Sequence, residues 1–316
     1  MSSPAGTIPT MRLYLAALSL AFLGLGCCPG ESVDHRGWPD ELVLGLVPAL
    51  EADMLVGNLQ PLTDHLSEEL GIPVRSFVPN DYTGLVEALG SGRADIGMLP
   101  PFAAMLGMRR YDLQPLLVSI RDGEVGYRTQ WLTHDPSVCQ TVPVPDPAGM
   151  LWCHGALEQL RGETVAFTDP NSTSGYLFPA LQLLEKSLDP ESDIRGIFVG
   201  GHDSAVLAVR SRDVRFGVSY DDARHMVTGQ YPDVGDQVIR FNQAPLIPND
   251  GVTLQPDLPE DLASAIVDAF MTLEQAQADL PREARVLYRL YEIDGFQPVT
   301  HGLYDPVAEA YDRLRR

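Results

Sequence analysis

The stretch that decides the fold is Thr164-Val165-Ala166-Phe167-Thr168-Asp169-Pro170-Asn171-Ser172-Thr173-Ser174-Gly175-Tyr176. Its first four residues predict a short strand, and the apolar run over residues 176–188 predicts a helix. Between them stand Asn, Ser and Thr, which cap helix N-termini. The free N–H groups and the dipole of such an end also favour a small anion. The stretch therefore predicts strand, turn and helix start, with either a plain cap or an anion site at the turn.

Strands and helices alternate on both sides of this stretch. The alternation predicts an α/β fold with largely parallel sheets, and the length of 316 residues suits two lobes. Further strands are predicted at residues 42–47, 74–78, 95–99, 196–199, 216–219 and 238–241. Further helices are predicted at residues 58–70, 82–89, 102–108, 203–211, 221–228, 258–273, 282–291 and 305–314.

Polar motifs follow several of these strands. In open α/β sheets, ligands bind outside the carboxyl ends of the strands. We therefore expect one cleft to collect the motifs at residues 80–82, 100–101, 169–175, 200–203 and 220–222.

The N-terminal residues predict an export signal. Met11-Arg12 precede the apolar run 13–25, which ends at Gly26-Cys27-Cys28. This pattern resembles a bacterial lipoprotein signal, in which Cys27 becomes the lipidated first residue. Cys28 as the lipidated residue, a plain signal peptide and an uncleaved anchor are the alternatives. We expect residues 1–26 to be the signal, residues 27–40 a tether to a membrane surface, and the location to be the periplasm or cell surface.

Two further cysteines, Cys139 and Cys153, bracket the Pro-rich segment 143–147. An exported protein with one spare cysteine pair suggests a disulfide, and two free thiols are the alternative. A metal site is disfavoured because no Cys-x-x-Cys or nearby His-x-x-His spacing is present.

The net charge of −21 argues against a nucleic-acid partner, which needs a basic face. It does not forbid an anionic ligand. Exposed charges are screened beyond about 8 Å at physiological salt, so directed N–H donors in a closed cleft set the local field.

Three segments, residues 79–101, 162–179 and 201–224, resemble the periplasmic phosphonate/phosphite-binding subunits of ABC importers, a family that also takes phosphate. The resemblance implies a type II two-lobe binding-protein fold, with two doubly wound α/β lobes joined by a hinge of two crossings. It also implies capture of a phosphonate, phosphite or related oxyanion for an ABC permease. The chain departs from the family's usual pattern at Pro100 and Ala104, which alters one wall of the cleft.

The expected lobe boundaries follow from this resemblance. Residues 41–128 should open the first lobe, residues 129–237 should form the second lobe with the Cys139–Cys153 loop, and residues 238–316 should return to the first. The crossings are expected near 127–133 and 235–241.

The resemblance also implies the ligand-binding residues. Hydroxyls of the helix-start turn should bond to the phosphoryl oxygens, a phenol should reach them from the opposite lobe, and a histidine should add a hydrogen bond or, if protonated, a charge. The expected set is Tyr82, Tyr127, Ser172, Thr173, Ser174, His202 and Asp221. Capping or core packing is the alternative for each.

Asp221 is unexpected in an anion site because a carboxylate repels an anion. Phosphorus oxyanions hold a proton near neutral pH, with a second pKa of about 6, and a carboxylate can accept that O–H or a ligand amine. Sulfate offers no such donor, so Asp221 is expected to disfavour it.

Neither a cofactor nor a metal is expected, and catalysis is disfavoured because no Gly-x-Ser-x-Gly elbow is present. The alternatives are a different ligand in the same fold, a ligand sensor beside a signalling receptor, and, least favoured, an enzyme on this fold.

Overall fold

The computed structural model describes residues 37–49 and 52–315, with the backbone alone for residues 52–58. These residues belong to one unit, Val33–Arg316. The predicted signal, Cys27 and most of the predicted tether lie outside the described residues.

The first lobe is built on a six-stranded sheet with helices on both faces. Its strands are β1 (Leu42–Leu46), β2 (Val74–Phe77), β3 (Ile96–Leu99), β4 (Gln114–Ile120), β12 (Gly251–Leu254) and β13 (Gly295–Pro298). Its helices are α1 (Ala52–Leu70), α2 (Tyr82–Gly90), α3 (Pro101–Tyr111), α7 (Glu260–Ala276), α8 (Val286–Tyr291) and α9 (Asp305–Leu314). The strand order is β13-β4-β12-β3-β1-β2.

The second lobe is built on a seven-stranded sheet. Its strands are β5 (Gly126–Thr133), β6 (Val144–Pro145), β7 (Leu151–Trp152), β8 (Thr164–Phe167), β9 (Arg195–Phe198), β10 (Phe216–Tyr220) and β11 (Ile239–Pro248). Its helices are α4 (Phe178–Glu185), α5 (His202–Arg210) and α6 (Val234–Gln237). The strand order is β6-β7-β11-β5-β10-β8-β9.

Strand β1 shows why each sheet is covered on both faces. All five of its residues are buried, and successive side chains point to opposite faces. Leu42, Leu44 and Leu46 pack into the cluster that contains α1 and α7, whereas Val43 packs into the cluster that contains α2. A continuous apolar run is therefore the expected pattern for this strand.

The sheets are mixed, which corrects the expectation of largely parallel sheets. Strand β1 runs parallel to β2 and β3, and β8 runs parallel to β9 and β10. Strand β12 is antiparallel to β3, and β5 is antiparallel to β10. The reason is the position of the connections between the lobes. Strands β5 and β12 each follow such a connection, so each begins at the edge of its sheet where the neighbouring strand, β10 or β3, ends, and therefore runs in the opposite direction.

The two connections between the lobes are residues 121–125 and 249–250. The segments expected to cross, near 127–133 and 235–241, instead contribute strands β5 and β11 to the second sheet. The connections are tied together by Asn249, whose side-chain amide donates to the carbonyls of Ser119 at 2.8 Å and Glu124 at 3.0 Å.

The predicted disulfide between Cys139 and Cys153 is present, with an S–S distance of 2.02 Å. It closes the loop that carries the hairpin β6–β7, and β7 pairs with β11 at Arg240. The bridge therefore fixes the Pro-rich segment to the edge of the second sheet.

Helix α9 packs against both lobes. Its buried residues Val307 and Ala310 share an apolar cluster with Phe102 of α3 and with Phe178 and Leu181 of α4. The last helix of the chain thus forms a contact between the lobes in addition to the two connections.

Candidate functional site

A small, partly open cavity of about 20 Å³ lies between the lobes, at the carboxyl ends of the parallel strands. This volume exceeds the volume that one buried water molecule needs. Residues of both lobes and of both connections line it. The position is the one at which open α/β sheets bind ligands.

The turn after β8 supplies the wall from the second lobe. Ser172 and Ser174 line the cavity and are almost fully buried. The Ser172 hydroxyl caps the following turn by accepting the backbone N–H of Gly175 at 3.0 Å. A side chain at Gly175 would overlap the hydroxyl of Thr168, so the tight turn requires glycine there. Capping and cavity lining therefore occur in the same turn.

Thr173 is part of this turn but does not line the cavity. Its hydroxyl accepts the backbone N–H of Phe102, in the opposite lobe, at 2.9 Å. The turn is a π-helical one over Thr173–Leu177, and it directs adjacent hydroxyls to different neighbours. Of the three hydroxyls expected to face the ligand, two face the cavity and one joins the lobes.

Four tyrosines surround the cavity: Tyr82, Tyr127, Tyr220 and Tyr291. Burial raises the pKa of each phenol, so all four hydroxyls stay protonated at physiological pH. The Tyr220 hydroxyl donates to the Sδ atom of Met226 at 2.6 Å. The Tyr291 hydroxyl donates to the carbonyl of Val47 at 3.0 Å. Tyr82, on the first lobe, and Tyr127, at the start of β5, are the two phenols that sequence analysis selected.

His202 lines the cavity at the start of α5 and contacts Tyr220 edge-on, with 4.9 Å between ring centroids. Its Nδ1 lies 2.9 Å from the Ser219 hydroxyl. Burial, together with the nearby charge of Arg121, lowers the pKa of His202 to about 3. The imidazole is therefore neutral near pH 7, and it can add a hydrogen bond to the site but no charge.

Arg121 and Asp250 bring opposite charges into the cavity from the two connections. Their Nη2 and Oδ2 atoms are 3.8 Å apart, and 14% and 21% of the two side chains are exposed. Burial raises the pKa of Asp250, and the charge of Arg121 opposes that rise. The buried Nε of Arg121 has no hydrogen-bond partner among residues 37–49 and 52–315. The site thus has a buried cationic donor beside an acceptor.

Four residues that line the cavity were not predicted from the sequence: Arg121, Asp250, Tyr220 and Tyr291. Arg121 follows β4, a strand that was not predicted. A signal for Asp250 was available, since Pro248-Asn249-Asp250-Gly251 carries turn residues after an apolar run. Tyr220 lies in the polar motif 220–222, in which the prediction fell on the carboxylate of Asp221.

Asp221 lies outside this cavity. It lines a larger neighbouring cavity, where its carboxylate pairs with Arg240 at 3.3 Å and accepts the Gln243 amide at 2.7 Å. Asp222 is bound by Arg224 at 2.5 Å. Both carboxylates therefore have protein partners, and neither touches the wall formed by Ser172 and Ser174.

Two classes of feature are not found in the described part of the chain. No group of three or more His, Cys, Asp or Glu side chains there could hold a metal ion. No helix there combines the length and apolarity needed to cross a bilayer.

The fold and the cleft are those of a two-lobe binding protein, and comparison with known proteins gives the family. A family model described as ABC transporter, phosphonate, periplasmic substrate-binding protein matches residues 44–304. The chain belongs to this family, and the resemblance found in the sequence is confirmed.

The names of related proteins mention different ligands. The chain is 30% identical to the phosphate-import protein PhnD of Mycolicibacterium smegmatis over 238 residues, which cover 71% of this chain and 69% of that one. It is 24% identical to the phosphonates-binding periplasmic protein of Escherichia coli over 250 residues, 79% of this chain and 70% of that one.

Solved structures show the same fold. A binding protein component of an ABC phosphonate transporter from Pseudomonas aeruginosa aligns with a TM-score of 0.73 at 20% identity, covering 87% of this chain and 86% of the other. PhnD1 from Prochlorococcus marinus, in complex with methylphosphonate, aligns with a TM-score of 0.71 at 16% identity, covering 87% and 98%. These likenesses confirm the predicted two-lobe periplasmic binding-protein fold.

Proposed function

We propose that the cleft captures a small phosphorus oxyanion (a phosphonate, phosphite or phosphate) and delivers it unchanged to an ABC permease. The observation that carries the proposal is the convergence of neutral donors and one cation on a single small cavity. Ser172 and Ser174 come from one lobe, Tyr82 from the other, and Arg121 and Tyr127 from the connection and the strand that follows it.

The charges of the cavity suit an anion in spite of the acidic surface. Hydrogen bonds from neutral hydroxyls to an anion are roughly twice as strong as bonds between neutral groups. Arg121 adds a positive charge, and its buried Nε gains an acceptor when an oxyanion binds. Burial strengthens both effects because the local dielectric is low.

Asp250 fits the selective role that sequence analysis gave to Asp221. Its carboxylate lines the cavity, whereas Asp221 is held by Arg240 outside it. A hydrogen phosphonate or hydrogen phosphate can donate its O–H to Asp250, and sulfate cannot. We infer that Asp250 disfavours fully ionised anions.

Contacts across the cleft support closure around the ligand. The backbone N–H of His202 donates to the carbonyl of Ala49 at 3.0 Å, and both residues line the cavity. Closure brings donors from both lobes to the same ligand, so ligand binding should draw the lobes together.

The wider setting follows from the sequence and the family. The pattern at Cys27 supports a lipid anchor that holds the binding protein at a membrane surface, beside its permease. A binding protein of this fold that reports to a signalling receptor is the second candidate, and the ligand cavity serves either role.

Isothermal titration calorimetry of the full chain in a mild detergent tests the proposal, with phosphate, phosphite, methylphosphonate and sulfate. At least one phosphorus ligand should bind tightly, and sulfate should give no heat. Ser174→Val should weaken binding about tenfold or more, since it removes a hydroxyl bond to an anion. The exposed Ser264→Ala is the control, and phosphorus NMR should show the ligand unaltered. Absence of heat from every phosphorus ligand would overturn the proposal.

A further inference from the structure

A second, larger cavity adjoins the ligand cavity on the side of the hinge. Its volume is about 770 Å³, and it shares Arg121, Tyr127 and Tyr220 with the smaller one. The second lobe supplies His225 to its wall, and the first lobe supplies Glu292. The shared residues make the outer cavity a continuation of the ligand site towards solvent.

The inner and outer cavities differ greatly in volume. The inner cavity has a volume of about 20 Å³ and the outer cavity a volume of about 770 Å³. An organic group bonded to a phosphoryl centre in the inner cavity cannot remain there. The outer cavity lies in the range typical of small-molecule sites, so it can hold such a group.

Most charged groups around the outer cavity already have protein partners. Asp221 pairs with Arg240, and Asp222 pairs with Arg224. Arg282 pairs with both Asp122 and Asp294, each at 2.6 Å. These pairs hold the charged groups that form them in the wall.

Glu292 differs from these residues. It ends α8 in a left-handed conformation with φ 55°, and its carboxylate has no hydrogen-bond or ion-pair partner among residues 37–49 and 52–315. The charged or titratable groups near it are Arg121, Asp122, His225, Arg282, Tyr220 and Tyr288, and burial raises the pKa of its carboxyl. Glu292 is therefore a partly buried acceptor that a donor on the ligand can satisfy.

We propose that the ligand is a phosphonate or phosphate monoester whose organic substituent passes Tyr127 and Tyr220 into the outer cavity, where its hydroxyl or ammonium group hydrogen-bonds to Glu292. The inference rests on the proposed function. It assigns the substituent to a separate cavity and gives Glu292 a role in specificity.

Matched ligands and matched variants test this inference by calorimetry on the full chain. The ligands are phosphate and methylphosphonate, which lack a donor on a substituent, and 2-aminoethylphosphonate and glycerol 3-phosphate, which carry an ammonium group and hydroxyls. At least one of the latter two should bind about tenfold tighter than methylphosphonate. Which of them does so identifies the donor.

Glu292→Met removes the acceptor oxygens and should remove most of that tenfold advantage, while the affinity for methylphosphonate stays unchanged, which also shows that the variant is folded. Glu283→Met makes the same change on an exposed residue outside the cavity and should change neither affinity. The inference is overturned if phosphate and methylphosphonate bind as tightly as both substituted ligands, or if Glu292→Met preserves the advantage. If none of the four ligands shows binding, the proposed function itself is refuted.

Discussion

The backbone N–H of Phe102 donates a hydrogen bond to the hydroxyl of Thr173 across the cleft, at 2.9 Å. Both groups are buried, so neither can turn to water while the lobes are closed. The residues on either side of Thr173, Ser172 and Ser174, line the ligand cavity. One turn therefore takes part in both ligand binding and lobe contact, which gives a direct route by which binding favours closure.

Replacing Thr173 by Val should weaken ligand binding. Val keeps the shape but leaves the N–H of Phe102 buried and unpaired in the closed form, at a cost of about 1–3 kcal/mol. We expect a loss of roughly five- to tenfold or more in affinity for the best phosphorus ligand, measured by calorimetry. Thr173→Ser retains the hydroxyl and is the matched control. Equal affinities of the Val and Ser variants would show that the bond does not assist closure.

His202 should make the protein sensitive to acid. Its folded pKa of about 3 lies below the ordinary 6.5, so the unfolded chain binds more protons between these values. The contribution of the neutral His202 imidazole to the free energy of unfolding is fully present above pH 6.5 and is lost as the pH falls towards 3. At pH 4.5 the loss is roughly 2–3 kcal/mol.

Urea unfolding at pH 7.5 and pH 4.5 measures this difference. His202→Gln should lose less unfolding free energy on acidification than the parent protein does. His301→Gln, at an exposed position, should behave like the parent. If both variants show the parental acid sensitivity, the imidazole of His202 is not buried in the neutral form.

Asp250 and Asp221 offer a paired test of anion selectivity. Asp250→Asn removes the negative charge and replaces one acceptor oxygen by an amide donor, so hydrogen phosphonate affinity should fall about tenfold and sulfate should become detectable. Asp221→Asn changes a carboxylate that Arg240 and Gln243 already hold, and should leave selectivity unchanged. Competition titrations with sulfate measure the selectivity of both variants and of the parent protein. Relaxed selectivity in Asp221→Asn alone would restore the assignment made from the sequence.

The sequence predicted elements whose pattern is local. Strand β8 and helix α9 have the predicted bounds, because an apolar run and a helical period are complete within each segment. Six strands were missed in the described part of the chain: β4, β5, β6, β7, β12 and β13. Of these, β4 and β13 contain Pro and polar residues, and each becomes a strand through pairing with a distant neighbour, β12 for β4 and β4 for β13. Strand propensity depends on such context, which one segment cannot show.

The same distinction between local patterns and distant contacts applies to the residues of the candidate site. Ser172, Ser174 and His202 were found because each stands in a local pattern of strand, turn and helix start. Arg121 and Asp250 come from the two connections, which are far apart in the sequence, and they lie side by side only in the folded chain. The orientation of Thr173 was also beyond reach, because the π-helical turn decides which of three adjacent hydroxyls faces the ligand.

The disulfide should stabilise the second lobe. Cys139 and Cys153 are separated by 14 residues, and closing a loop of that size in the unfolded chain is worth about 3 kcal/mol. The double variant Cys139→Ser and Cys153→Ser should lower the unfolding free energy by roughly that amount and make it insensitive to reductant. A parent protein whose stability is unchanged by reductant would contradict this expectation.

Helix α9 offers a final test, because it contacts both lobes. Leu181 of α4 belongs to the cluster that contains Val307 of α9 and Phe102 of α3. Leu181→Ala should cost about 2–5 kcal/mol in total. If α9 keeps to the first lobe, opening the cleft separates Leu181 from the cluster. Much of the cost then appears as weaker ligand binding, because closure has to rebuild the contact.

Calorimetry and urea unfolding of Leu181→Ala together divide that cost between closure and folding. Arg313→Ala is the control at the rim of the same contact, since its ion pair with Glu185 is half exposed and should be worth less than about 1 kcal/mol. Weaker binding by Leu181→Ala, with a smaller change in unfolding free energy, would mean that α9 separates from α4 when the cleft opens. Unchanged affinity with the full loss of stability would mean that α9 stays with the second lobe, and that the contact with Phe102 is the one broken.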